Sequence, residues 1–109
     1  MNTTEFAAEL RREGEVAVLE LSGDISSRAE ADLQAAYAGV ATEPVVVLDF
    51  AKVDYINSTG IALIVGILAE ARKSGQEVRA RGLAQHYREI FRITRLSDFM
   101  TILDEEESQ

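Results

Sequence analysis

The chain has 109 residues, 28% of them charged, no cysteine and a formal net charge of −8. That length suits one domain with its own core. The missing cysteines exclude disulfides, thiol nucleophiles and cysteine-ligated metals, and the negative charge argues against nucleic acid, whose phosphates would repel it.

The charge is uneven. Residues 1–71 carry 12 acidic and 4 basic side chains, whereas residues 72–103 carry 3 and 7. The first part therefore favours a partner with a basic docking face; the second reads as a mostly solvated basic surface. The first residues hold no apolar signal core. No uncharged run is long enough to span a bilayer, so membrane insertion is not expected and a cytoplasmic location is.

Thr4 to Arg12 alternates, with Phe6, Ala8 and Leu10 on one side, and Glu13-Gly14 supplies a turn into Glu15 to Leu21, which predicts a hairpin. Ser22 to Ser26 reads as a loop. Ser27, with Glu30 three residues on, predicts a capping box for a helix that buries Ala29, Leu33, Ala36, Tyr37 and Val40. Gly39 and Pro44 help to end it. Val45 to Phe50 is a short apolar run rich in valine, as in a strand buried on both faces.

Ser58 to Ser74 predicts the next helix, with Asn57 or Ser58 as its N-cap and Gly75 as its C-cap. From Thr59 through Ala69 it carries no charge, although a helix lying on a sheet normally has a polar back. Ile61, Ile64, Val65 and Leu68 share one face that can lie on the sheet. Ala62, Gly66 and Ala69 form a small-residue stripe which, with Leu63 and Ile67 beside it, suits either burial or docking. Gln76 to Leu83 alternates as a strand with one solvated face, and Ala84 to Thr94 places Tyr87, Ile90, Phe91 and Thr94 on one helical side. Leu96 to Leu103 reads as a last strand or a docking segment. The acidic tail, residues 104–109, has nothing to bury and is expected to be disordered, which leaves one domain over residues 1–103.

The order of elements predicts an α/β fold, a mixed and mostly parallel sheet of four to five strands with helices packed on it. Catalysis finds little support. His86 is the only histidine, and Ser58 has neither a base nor the flanking glycines of a nucleophile elbow. No glycine-rich phosphate loop is present, and no cofactor is expected. Asp24, Asp49 and Asp54 stand near strand or loop ends and would make a hard-cation site only if they converged; the usual role of such carboxylates is solvation or capping. A receiver domain would need a lysine near the last strand, and Lys73 is the last lysine.

Three stretches carry a resemblance: LSGDI at Leu21 to Ile25, VVVLDFAKVDYINSTGIALIVG at Val45 to Gly66, and the Gly82-Leu83 step before a short helix. With them the chain resembles the STAS domain family over roughly Thr4 to Leu103, that is, the bacterial anti-sigma factor antagonists and the related domains of sulfate transporters. The resemblance implies partner switching. Its phosphoacceptor, the serine in Asp-Ser-Ser/Thr-Gly, maps onto Ser58, with Thr59 the weaker candidate. It also implies an anti-sigma factor that is a serine kinase of the histidine-kinase-like ATPase type, and a serine phosphatase that restores the binding form. The partner surface it implies comprises Asp24, Ser26, Asn57, Ser58, Thr59, Gly60, Ala62, Leu63 and Gly66. Two positions depart from the pattern: Asn57 replaces the acidic residue before the serine, and Ser26 stands where antagonists often carry an aspartate. The competing account is an unphosphorylated STAS scaffold or adaptor in a signalling or transporter-associated assembly, and a homodimer stays open.

Overall fold

The computed structural model of the chain describes residues 4–103, so the expectation for the acidic tail lies outside the described residues. The predicted hairpin is present: β1 (Ala7–Glu13) pairs antiparallel with β2 (Val16–Ile25). Its turn is Gly14-Glu15, one residue later than the sequence suggests. Gly14 supplies the positive φ, 65°, which a two-residue hairpin turn needs at its first central position.

Where the sequence predicts a loop at Ser22 to Ser26, β2 instead runs on to Ile25. It can do so because β3 (Val45–Ile56) is also longer than its apolar run implies. Ser22 pairs with Lys52, Gly23 with Val53, Asp24 with Tyr55 and Ile25 with Ile56, across two register shifts. Such bulges break the alternation by which a strand is recognised.

β4 (Glu77–Arg81) and β5 (Thr101–Ile102) complete a five-stranded sheet in the order β1-β2-β3-β4-β5, parallel from β2 onward. The connections carry α1 (Glu30–Ala38), α2 (Ser58–Ser74) and α3 (Gln85–Ile93). The mixed, mostly parallel α/β architecture is the one the sequence predicts. The capping box is not. The chain enters α1 through a 3-10 turn, Ser27–Ala29, in which Ala29 N–H bonds the Ser26 carbonyl at 2.9 Å, and no side chain caps either start.

Leu19, Leu48 and Ala80, side by side on adjacent strands, share one core cluster with Leu33 of α1, Ile64 and Leu68 of α2 and Phe91 of α3. All three helices therefore lie on one face of the sheet. Leu10 points to that side but stays half exposed on the edge strand, and Thr94 is exposed at the end of α3. The opposite face has no helix among the described residues, yet Val18 and Val47 are buried there. Arg11 stands opposite Val18 and Arg79 opposite Val47 on the neighbouring strands, and such long side chains can lay their aliphatic stems over apolar surface. Arg81 donates to both carboxylate oxygens of Glu13 at 2.9 and 3.0 Å and to Asp49 at 3.0 Å, while Arg11 and Lys52 approach Glu20 at 3.7 and 3.6 Å. The hydrogen bonds from Arg81 hold the Glu13 carboxyl below its ordinary pKa, and Glu13 in turn raises that of Arg81. From Val46 to Phe50 the central strand is thus buried on both faces, by helices on one and beside an ion-pair lattice on the other, while Ala51 to Tyr55 are mostly exposed.

Candidate functional site

β2 and β3 end side by side at Ile25 and Ile56, and the chain turns from Ile56 directly into α2. Asn57 is extended, with φ −93° and ψ −176°, and its Oδ1 accepts the Gly60 N–H at 2.8 Å. Of the two candidate caps, then, the asparagine does the work. Ser58 and Thr59 are exposed in the first turn, and the Ser58 hydroxyl makes no hydrogen bond among the described residues.

The turn is held from two sides. The Ile25 carbonyl accepts Asn57 N–H at 3.2 Å and also lies against Gly60, where a Cβ would stand 2.0 Å from that oxygen. From α3, the Tyr87 hydroxyl accepts Ile56 N–H at 2.9 Å. The helical spacing predicts a buried face for Tyr87, but nothing in the sequence signals the partner of its hydroxyl.

Asp24 and Ser26 flank Ile25, so two of the three stretches that carry the family resemblance, Leu21 to Ile25 and Val45 to Gly66, meet at one backbone carbonyl. Asp24 and Ser26, with Thr4, Glu5, Phe6, Arg28 and Asp32, line a concavity of about 380 Å³. Asp49 is bonded to Arg81 on the helix-free face instead, and Asp54 is exposed, so the three aspartates do not converge. Among the described residues no group of three or more acidic, histidine or cysteine side chains is placed to share a cation.

Asn57→Ala is expected to leave the Gly60 N–H without its acceptor. Loss of such a cap costs about 1 kcal/mol, which lowers the melting temperature by roughly 4–8 °C in a domain of about this size. Thermal unfolding followed by circular dichroism measures this directly, and an unchanged midpoint would mean that water replaces the cap without loss.

The buried face of α2 differs from the expected one. Gly60, Ile64, Ile67, Leu68 and Ala71 face inward, Ile61 is only partly covered and Val65 is 43% exposed. The phase is set by Gly60, which must face the Ile25 carbonyl; residues 4, 7, 8 and 11 further on then follow it inward. Ala62, Val65, Gly66 and Ala69 are left exposed and Leu63 half-buried, forming an uncharged surface that starts at Ser58.

One flank of that surface faces α1. A groove of about 630 Å³ runs between the helices, walled by Ala38 at the end of α1, by Ala41 just after it, and by Ala62, Leu63, Gly66 and Ile67 from α2. Its polar lining is Glu30, Gln34, Tyr37 and Glu70, with no lysine or arginine. Burial, then the nearby Glu70 charge, pushes the pKa of the Tyr37 hydroxyl up; that hydroxyl donates to Gln76 Oε1 at 2.7 Å. Gly66 has no internal explanation. A Cβ there would meet nothing within 4 Å, and glycine inside a helix is less stable than alanine by about 0.5–1 kcal/mol. Nothing in the sequence marks the α1 side of this groove, since Ala38 and Ala41 carry no local signal.

A family model described as Mlab, STAS domain, matches residues 8–104. An anti-sigma factor antagonist from Mycobacterium paratuberculosis is similar in structure, with a TM-score of 0.75 at 21% identity, over 95% of this chain and 90% of that one. The anti-sigma factor antagonist SpoIIAA in its unphosphorylated form gives 0.71 at 20% identity, over 94% and 92% of the two chains. The Bacillus cell fate determinant SpoIIAA in its phosphorylated form gives 0.70 at 20% identity, over 94% and 96%. At such identities the likeness establishes the fold.

Proposed function

The chain belongs to the STAS domain family, and from that premise we propose that it is an anti-sigma factor antagonist acting by partner switching. It docks through Asp24, Ser26, the turn from Asn57 to Gly60 and the solvent side of α2 at Ala62, Leu63 and Gly66. The partner is an anti-sigma factor that is also a serine kinase of the histidine-kinase-like ATPase type. Phosphorylation of Ser58 releases it, and a serine phosphatase restores the binding form. The chain itself performs no chemistry in this scheme.

The observation that carries the reading is the division of labour at the start of α2. Asn57 does the capping, so the exposed Ser58 hydroxyl has no structural duty and can be modified without disturbing the helix. A phosphate there brings a charge of about −1.5 to −2 to a helix N-terminus, where free N–H groups and the dipole favour it by roughly 0.3–1 kcal/mol. The domain stays folded. At a contact surface the same charge is desolvated or set against like charge, at a cost of several kcal/mol. The likeness to SpoIIAA in both its forms supports a modification of this kind that preserves the fold.

One observation favours a second reading. Asn57 puts a neutral amide where kinase-recognised antagonists carry a carboxylate, and this suits a STAS scaffold that is never phosphorylated. The intact mass of the protein taken from its native cell separates the two accounts. Partner switching is expected to show a fraction heavier by one phosphate, located on Ser58 by fragmentation. A chain never modified under any growth condition would favour the scaffold.

A further inference from the structure

The groove between α1 and α2 has two properties that its own chain does not use. The first is charge. Glu30 and Glu70 are exposed at its margin, and among the described residues no cation lines it and the only ion pair that engages either of them is the loose exposed contact of Lys73 with Glu70 at 3.8 Å, a kind of pair that contributes little.

The second is Gly66. Gly60, in the same helix, is required by the Ile25 carbonyl, whereas Gly66 meets nothing within 4 Å and sits at a solvent-facing position where alanine is the better helix former. A missing side chain there gives only one thing, room for another backbone. Packed helices normally keep their axes about 8–10 Å apart, the distance being set by the residues at the contact. Gly66 between Ala62 and Ala38 allows the short end of that range.

We propose that this groove receives an amphipathic helix of the partner protein, seated on Gly66 through small side chains and flanked by lysine or arginine side chains that meet Glu30 and Glu70. The inference rests on the partner-binding reading above; it adds the chemistry of the partner's contact and the share that α1 takes in it. An acidic helix would place like charges together, which is strongly unfavourable in a desolvated contact. A bulky apolar helix would be held off the Gly66 backbone by its own side chains.

The test uses the full chain and two synthetic helical peptides with the same alanine and serine stripe, one flanked by lysines and the other by glutamates. Titration of the lysine peptide into isotopically labelled protein is expected to shift backbone resonances of Glu30 to Ala41 and Ala62 to Glu70, and the glutamate peptide is expected to shift neither. Glu30→Lys with Glu70→Lys should lower affinity for the lysine peptide at least tenfold. Gly66→Ala should move two readouts in opposite directions: the melting temperature of the chain alone rises, by up to about 8 °C, while peptide affinity falls.

A melting temperature lowered by Gly66→Ala would show that the glycine serves its own fold, and would overturn the proposal. So would equal binding of the two peptides, no binding of either, or resonance shifts elsewhere on the surface. Shifts in the groove that grow with protein concentration in the absence of peptide would assign it to a second copy of the chain instead. The switch at Ser58 stands or falls separately: a chain that binds the lysine peptide but never carries phosphate keeps the groove and loses the switch, and the reverse result loses only the groove.

Discussion

Gly60→Ala is expected to be strongly destabilising, with a loss of about 3 kcal/mol, the upper part of the range for overpacked sites. The added carbon would stand 2.0 Å from the Ile25 oxygen and 2.8 Å from its carbonyl carbon, both backbone atoms that cannot rotate away. Either α2 lifts from the end of β2 or β2 bends. Both movements also strain the Asn57 N–H bond to the same oxygen and the Asn57 cap on Gly60. Urea unfolding should show a lower midpoint with little change in slope, and a fall in melting temperature of more than about 10 °C. Gly66→Ala, six residues along the same helix, is the internal control, because its sign should be opposite. If the two substitutions behave alike, helix propensity rather than the contact with Ile25 governs both.

Ser58→Asp is expected to have the largest effect on binding. The domain should keep its melting temperature within about 3 °C, since an acidic group in the first turn of a helix is mildly favourable. Affinity for the kinase partner should fall about 100-fold, which corresponds to roughly 2.7 kcal/mol and lies within the cost of a charge forced into a contact. Ser58→Ala should bind like the parent and accept no phosphate. Isothermal titration with the purified partner reads the affinities, and mass spectrometry after incubation with ATP reads the modification. Should both variants bind like the parent, the charge at this position is not what the partner senses, and the scaffold account becomes the better one.

What the sequence makes legible follows from the range of the interaction that decides each feature. Both ends of α2 are readable because its signals are local: an asparagine or serine at one end, and at the other Gly75 with a φ of 74°. The inward face of the same helix is misread at Val65 and left open at Ile67 because its phase is fixed by a carbonyl on another strand, which no helical pattern contains. The far end of β2 is misread for a related reason, since the bulged pairing from Ser22 to Ile25 depends on the length of β3. Ser27 and Glu30 show the opposite failure. The local pattern is present, but the chain uses a 3-10 turn there. In the candidate site, the position of Ser58 is readable from its place between a strand and an uncharged helix. The groove is only half readable, because Ala38 and Ala41 look like any other alanines until α2 is laid beside them.

The bare side of the sheet has a consequence for how this molecule can be built into anything larger. A two-layer protein with an uncovered sheet would ordinarily invite a neighbour to stack on its back, as the halves of a sandwich do. Here the guanidinium of Arg81 already bridges Glu13 and Asp49 across that back, and a stacking neighbour would have to strip hydration from a mesh of fixed ions before it touched a single valine. Assemblies containing this protein should therefore grow from its helical flank and the strand ends beside it, and leave the opposite side wet.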